Sequence, residues 1–144
     1  MKRKILSKLI EWKNKKNRKP LIVNGARQVG KTYILKEFGS HYYEKMAYVN
    51  CDKNKTLDKI FSQDYNISRI LLSLSAILHV NIEPENTLII FDEIQENPTV
   101  LNSLKYFCED ASQYHVAVAG SLLGISLHRD TSFPVGKVDM KKMY

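Results

Sequence analysis

The segment LIVNGARQVGKTYILKEF, residues 21–38, holds two glycines five positions apart, followed at once by a lysine and a threonine. Gly25 and Gly30 let the backbone turn sharply and bring its N–H groups close to phosphate oxygens. Lys31 is a point charge that can reach β- and γ-phosphates, and Thr32 can place its hydroxyl on Mg²⁺. The pattern GxxxxGK(S/T), with an apolar run before it and a helical pattern after it, predicts a phosphate-binding loop. The alternative is a glycine turn with an incidental lysine.

Two acidic residues close the apolar run TLIIF (87–91). A buried strand that ends in two acids is unusual, because ionised carboxylates are costly to bury without partners. We predict that Asp92 holds Mg²⁺ through its water shell. Glu93, the next residue, should point to the other side of the strand and polarise a water for attack on the γ-phosphate. A solvated strand end is the alternative for both residues.

A third polar position follows the apolar run HVAVAG (115–120). We expect this strand to lie between the strand before the loop and the strand before the acids. Ser121 would then stand at the γ-phosphate, where its hydroxyl can hydrogen-bond the attacking water or the phosphate. The alternative is that Gly120 and Ser121 simply turn the chain.

Along the rest of the chain, strand patterns alternate with helix patterns. The segment NISRILLSLSAILHV (66–80) is the strongest helical signal, Asn97-Pro98 marks a helix entry, and Gly39 marks the end of the helix after the loop. This alternation predicts a three-layer α/β fold with a mostly parallel five-stranded sheet and helices on both faces, and the phosphate-binding loop assigns it to the P-loop NTPase type. The predicted strands are 21–25, 46–52, 87–94, 115–121 and 138–144, and the predicted helices are 3–14, 32–38, 66–80 and 98–111.

The composition suits one globular domain, since 44% of the 144 residues are hydrophobic and 26% are charged. No apolar run approaches the roughly 20 residues that a membrane helix needs, so we expect no membrane association. Cys51 and Cys108 lack a CxxC spacing, and the four histidines are scattered without ligand spacing. The sequence therefore predicts a cytoplasmic protein with reduced thiols and without a transition-metal site.

The formal net charge of +7 is concentrated at the start of the chain. Residues 1–20 hold nine Lys or Arg and one acid, whereas residues 21–144 hold 13 bases and 14 acids. We therefore predict a basic amphipathic helix with its linker over 1–20 and the P-loop core over 21–144. Clustered Lys and Arg also allow a nucleic-acid-binding module, with ATP as a switch or not used. The alternative is a lysine-rich face that is simply solvated.

The loop GARQVGKT (25–32) and the runs FDEIQ (91–95) and AGSLL (119–123) resemble those of prokaryotic ATPases of the AAA+ superfamily. With SFPVGKVDM (132–140), the resemblance extends over nearly the whole chain from about residue 5. It implies binding of ATP with Mg²⁺ and ATP hydrolysis coupled to a conformational change. The nucleotide contacts that it implies are Gly25, Arg27, Gln28, Val29, Gly30, Lys31, Thr32 and Tyr33.

The same resemblance gives individual residues a role in the reaction. Lys31 contacts phosphate, and Thr32 and Asp92 serve the metal. Glu93 is the general base. Ser121 is the sensor of the γ-phosphate, at a position where many relatives have asparagine.

Such ATPases also use an arginine that acts from a neighbouring subunit on the transferring phosphate. Arg129 lies between the sensor strand and the fifth strand, where this arginine usually stands, and its action on a neighbour would require a homo-oligomer; the oligomeric state itself stays open. A solvated loop arginine is the alternative. Relatives continue past the fifth strand into a helical lid. We therefore expect an ATPase core that is cut short at Tyr144 and has slow or absent turnover.

Other P-loop classes fit the sequence less well. A GTPase needs an NKxD-type guanine reader after the acidic strand, and the nearest match, residues 54–58, comes too early and has its aspartate one position late. A small-molecule kinase usually lacks a glutamate directly after the metal aspartate and needs an arginine-rich lid. A remnant that binds ATP without turnover stays open as an alternative.

Overall fold

The computed structural model describes residues 2–25, 30–121 and 136–142. Strands and helices alternate along these ranges, as the apolar pattern predicts. The strands are β1 (Leu21–Asn24), β2 (Lys45–Asn50), β3 (Thr87–Asp92), β4 (His115–Gly120) and β5 (Asp139–Lys142). The α-helices are α1 (Lys2–Lys13), α2 (Lys31–Tyr42), α3 (Lys55–Gln63), α4 (Ile67–Leu78) and α5 (Pro98–Asp110), and a short 3-10 helix (Ile94–Glu96) lies between β3 and α5.

The five strands form one sheet in the order β2-β3-β4-β1-β5, and each neighbouring pair is parallel. β4 therefore lies between β1 and β3, as expected from the sequence. Because the strands are parallel, their carboxyl ends meet at the same edge of the sheet. The segments that follow β1, β3 and β4 carry the predicted site residues, and all three leave the sheet at this edge.

Helices cover both faces of the sheet, so the fold has three layers. One buried apolar cluster joins α1 and α2 to one face and includes Leu9, Trp12 and Phe38. A second cluster joins α3, α4 and α5 to the opposite face and includes Phe61 and Phe107. The chain thus has the three-layer α/β architecture of P-loop NTPases.

Asparagine side chains begin three of the helices. Asn54, Asn66 and Asn97 each accept a hydrogen bond from the backbone N–H three residues further on, which satisfies a donor that the first turn of a helix cannot pair internally. The helix entry predicted at Asn97-Pro98 is confirmed. Helix α3 is not among the predicted helices, although Asn54 precedes it.

The prediction that Gly39 ends the helix after the loop is wrong. α2 continues to Tyr42, and Gly39 is buried inside it. A Cβ atom at this position would lie 2.4 Å from Sδ of Met46 and 3.2 Å from Cδ2 of Leu88. The glycine therefore lets the helix cross β2 and β3 at close range without displacing the side chain of Met46.

The segment after α1 is bonded to the rest of the fold. Trp12 Nε1 donates to the carbonyl oxygen of Lys19 at 2.8 Å, and the backbone N–H of Lys19 donates to Asp139 Oδ2 at 3.1 Å. Lys15 forms an ion pair of 3.0 Å with the same aspartate. These contacts join α1 to the start of β5, while the boundary at residue 20 stays a prediction.

The α-helices contain between 9 and 13 residues. A helix that spans a membrane needs about 20. Within the three ranges that the structure describes, no helix has the length and apolar character for such a span.

Candidate functional site

The turn from the loop into α2 depends on a glycine. Gly30 is the N-cap of α2 and has φ 78° and ψ 29°, a left-handed conformation that residues with a side chain rarely adopt. The first hydrogen bond of the helix runs from Ile34 N to Gly30 O at 3.0 Å. The N–H groups of the first turn, and the positive end of the helix dipole, therefore point towards the loop.

The ammonium group of Lys31 contacts the chain at the end of β1 and at the end of β4. Its side chain is buried, and Nζ donates to the carbonyl oxygen of Gly25 at 2.6 Å and to that of Gly120 at 3.1 Å. Gly25 follows β1, and Gly120 ends β4. The ammonium group therefore lies at the carboxyl edge of the sheet, between the loop and the neighbouring strand.

The carboxylate of Asp92 lies beside the first turn of α2. Its Oδ2 accepts hydrogen bonds from Thr32 Oγ1 at 2.7 Å and from the hydroxyl of Tyr48 at 2.5 Å. Its Oδ1 accepts from the backbone N–H of Glu93 at 2.9 Å. Because Asp92 is only 6% exposed, these three donors supply the partners that a buried carboxylate requires. Thr32 and Asp92, distant in sequence, are in direct contact.

This contact fits a magnesium ion. A hydroxyl group has one proton and two lone pairs. The proton of Thr32 is directed to Asp92, so the lone pairs of its oxygen can face a cation. Mg²⁺ prefers oxygen ligands and is usually held by one or two carboxylates while it keeps several waters. The donor chemistry of Thr32 and Asp92 therefore suits the ion.

Tyr48 is a site residue that the sequence analysis missed. Burial raises the pKa of its phenol, and the hydrogen bond to Asp92 raises that pKa further, so the hydroxyl remains a donor at neutral pH. The residue stands on β2 two positions before Asn50, which is paired with Asp92 in the register of β2 and β3. Recognising Tyr48 requires knowing that β2 and β3 are neighbours, and the sequence pattern alone does not give this pairing.

The strand ends two residues earlier than predicted, before Glu93. β3 stops at Asp92, and Glu93 has φ 55° and ψ 47°, which is left-handed backbone. The prediction that strand alternation turns this side chain to the other face is therefore wrong. The direction of Glu93 is set instead by the turn, where its Oε2 accepts a hydrogen bond from Gln95 Nε2 at 2.6 Å.

Gln95 is the second residue that the sequence analysis did not assign to the site. It is buried, and its Oε1 accepts from the backbone N–H of Ser121 at 3.3 Å. Gln95 thus connects the turn after β3 with the end of β4. The sequence contains Gln95 in the run 91–95, but nothing in that pattern indicates which strand its amide reaches.

The remaining predicted residues divide into two groups. Tyr33 lies in the first turn of α2 with 62% of its surface exposed. Ser121 directly follows β4, next to the carbonyl that Lys31 contacts. Four predicted site residues lie outside the described part of the chain: Arg27, Gln28, Val29 and Arg129.

Comparison with known proteins agrees with this geometry. A family model described as an AAA domain matches residues 17–144, and it spans β1 to β5 and every residue of the candidate site. None of the curated proteins matches the chain. The family match agrees with the resemblance found in the motifs of the loop and of the acidic strand. The chain therefore belongs to the AAA domain family of nucleotide-binding ATPases.

Proposed function

We propose that this chain binds ATP together with Mg²⁺ and hydrolyses the ATP. The observation that carries the proposal is the 2.7 Å hydrogen bond between Thr32 Oγ1 and Asp92 Oδ2. It joins the end of the loop to the end of the acidic strand, so the residues proposed to bind phosphate and metal share one edge of the sheet. Membership of the AAA domain family supports nucleotide binding of the ATPase type.

The triphosphate would lie against the first turn of α2. Phosphate oxygens are favoured there by the backbone N–H groups and by the positive end of the helix dipole. Lys31, which contacts two carbonyl oxygens, would turn its ammonium group to the β- and γ-phosphates. The other contacts in this proposal are Gly25, Arg27, Gln28, Val29, Gly30 and Tyr33.

The same edge of the sheet offers the groups that hydrolysis needs. Bound Mg²⁺ would neutralise charge on the phosphates, held by the hydroxyl of Thr32 and, through water, by Asp92. Glu93 would take the proton of the attacking water as general base. Ser121, at the end of β4, would hydrogen-bond that water or the γ-phosphate.

A trans-acting arginine is the remaining part of the proposal. Arg129 would stabilise the transferring phosphate of a neighbouring subunit, and a conformational change would follow hydrolysis. This role requires a homo-oligomer. Light scattering of the chain with and without ATP tests it, because a monomer under both conditions contradicts action of Arg129 from a second copy.

Hydrolysis and binding should be measured on the same preparations of wild type and Glu93→Gln. We expect slow, Mg²⁺-dependent turnover in the wild type and a loss of roughly 10²–10⁴-fold in the variant, which is the usual contribution of a general base. ATP affinity should be retained, because Glu93 acts on water and not on the phosphates. Glu11→Gln, an exposed acid on α1, is the matched control.

Two outcomes would contradict parts of this proposal. Equal turnover by wild type and Glu93→Gln removes Glu93 from the mechanism. Binding of ATP without any turnover by the wild type favours the alternative of a nucleotide-binding remnant.

A further inference from the structure

Gln95 uses both ends of its side-chain amide. Nε2 donates to Glu93 Oε2 at 2.6 Å, and Oε1 accepts from the backbone N–H of Ser121 at 3.3 Å. A carboxylate can only accept and a backbone N–H can only donate, so a single orientation of the amide satisfies both partners. The glutamate and the end of β4, which the sequence analysis treats separately, are therefore joined by one buried residue.

Close packing holds this connection in place. A Cβ atom at Gly120 would lie 2.5 Å from Cγ2 of Ile94 and 2.7 Å from Oε1 of Gln95. The 3-10 helix therefore rests directly on the end of β4, at a distance that only glycine permits. Ile94 is fully buried, so the turn has little room to shift away from the strand.

Glu93 has a backbone conformation that needs such support. Its φ of 55° lies in the left-handed region, which is unfavourable for a residue with a side chain. Such a conformation persists only where the surroundings hold it, and it is common at functional sites. The contacts that hold it include its own N–H, which donates to Asp92 Oδ1, and the amide of Gln95.

We propose that Gln95 is a positioning residue, which fixes the carboxylate of Glu93 for proton abstraction and ties it to the end of β4. The inference rests on the proposed role of Glu93 as general base. A carboxylate offers about four acceptor positions, so a single bond from Gln95 can orient the group without occupying every acceptor position. Because the same amide holds Ser121, the base and the predicted sensor keep a constant separation.

Three substitutions separate hydrogen bonding from packing at this position. Gln95→Met keeps the length of the side chain and removes both hydrogen bonds. Gln95→Asn keeps the amide but is one methylene too short to reach both partners. Gln95→Glu replaces the donor with an acceptor and brings two carboxylates together, which repel each other.

The experiment measures turnover and ATP affinity for these variants, for Glu93→Gln and for the double variant with Gln95→Met. We expect each Gln95 variant to lose about 10–100-fold in kcat, the scale of a misplacement of about 1 Å, with an unchanged Kd for ATP. In the Glu93→Gln background, Gln95→Met should cause no further loss, because Gln95 acts through Glu93. Thermal unfolding identifies any variant that does not fold. If one Gln95 variant fails to fold, the remaining two Gln95 variants are compared with the wild type.

A second readout does not depend on turnover. Gln95→Met removes the acceptor of the Ser121 N–H, so hydrogen exchange of that amide should become several-fold faster than in the wild type. Unchanged exchange at Ser121 would overturn the connection itself.

The results distinguish this inference from the proposed function. A wild type that does not hydrolyse ATP overturns both. Turnover that is lost in Glu93→Gln but unchanged in all folded Gln95 variants overturns the positioning role alone. An equal loss from Gln95→Met in both backgrounds also overturns it, because the effect would then not pass through Glu93.

Discussion

At the scale of single residues, Asp92 has the most defined surroundings in the site. Three donors point at its two oxygens: the hydroxyls of Thr32 and Tyr48 and the backbone N–H of Glu93. Thr32 is the residue that would hold the metal directly. Tyr48 would act only by orienting the carboxylate, and partners of this kind typically contribute 10–100-fold to metal affinity or activity.

The role of Tyr48 can be tested with Tyr48→Phe. We expect the Mg²⁺ concentration that gives half-maximal strengthening of ATP binding to rise by about tenfold, because the hydroxyl that orients Asp92 is lost. Affinity for ATP without Mg²⁺ should not change. Tyr42→Phe, which removes a hydroxyl from an exposed tyrosine on α2, is the control. An unaltered Mg²⁺ requirement in Tyr48→Phe would remove the tyrosine from the metal site.

The sequence indicates residues whose role follows from a local pattern. Lys31 and Thr32 belong to a motif with fixed spacing, and Asp92 closes a continuous apolar strand. The turn at Glu93 could not be predicted, because a left-handed glutamate has no signature in strand alternation. Tyr48 and Gln95 could not be predicted either, because each acts on a segment that is distant in sequence.

At the scale of elements, two glycines set how closely helices approach the sheet. Gly39 lets α2 cross β2 and β3, and Gly120 lets the 3-10 helix rest on the end of β4. The atoms closest to the two glycines differ in how easily they can move. The nearest atoms at Gly39 belong to the flexible side chain of Met46, whereas at Gly120 the nearest atom is Cγ2 of the buried, branched Ile94.

This difference predicts unequal effects of alanine. Gly120→Ala should lower the free energy of unfolding by about 1–3 kcal/mol, the usual cost of overpacking, because Ile94 cannot move aside. Gly39→Ala should cost less, because Met46 can change rotamer and alanine favours a helix interior over glycine by about 1 kcal/mol. Urea unfolding measures both values. A larger loss from Gly39→Ala than from Gly120→Ala would contradict this reading of the packing.

Most elements follow from apolar periodicity, and the exceptions have physical causes. α2 is longer than predicted, because a glycine that serves close packing has the same sequence signal as a glycine that ends a helix. The helix α3 was missed although Leu57, Ile60 and Phe61 recur at helical spacing and are buried. A helix of nine residues gives only a weak periodic signal in the sequence. The stability of α3 comes mainly from its packing beside α5 and α4.

At the scale of the whole molecule, one edge of the sheet carries the candidate site and the other carries a buried histidine with its contacts. The carboxyl edge carries the candidate site. At the opposite edge, His115 begins β4, is 3% exposed and forms a hydrogen bond of 2.6 Å with the hydroxyl of Tyr43. Trp12 of α1 packs edge-on against the same imidazole, so three distant segments meet there. One basic side chain of residues 1–20 also contributes to this fold. Arg18 donates hydrogen bonds to the carbonyl oxygens of Lys13 and Ser112.

The buried histidine predicts a pH dependence of stability. Burial, together with the nearby positive charges of Arg18 and Lys13, lowers the pKa of His115 to about 3. The unfolded chain takes up the proton near pH 6.5 and the folded chain does not, so stability should fall as the pH drops below 6.5. The slope from this group approaches about 1.4 kcal/mol per pH unit.

Urea unfolding between pH 6.5 and 5 measures this slope. We expect His115→Gln to be less stable than the wild type at pH 6.5 but to lose less stability on acidification. His41→Gln, at an exposed position on α2, should keep the slope of the wild type. Equal slopes for wild type and His115→Gln would contradict the assignment.

If the start of α2 and the end of β3 form one nucleotide site, the ammonium group of Lys31 should be essential for ATP binding. Equilibrium titration of fluorescent ATP should show saturable binding to the wild type, strengthened by Mg²⁺. Lys31→Ala should show no measurable binding at concentrations that saturate the wild type, whereas Lys59→Ala, an exposed lysine on α3, should bind normally. Unchanged ATP affinity in folded Lys31→Ala would contradict the account.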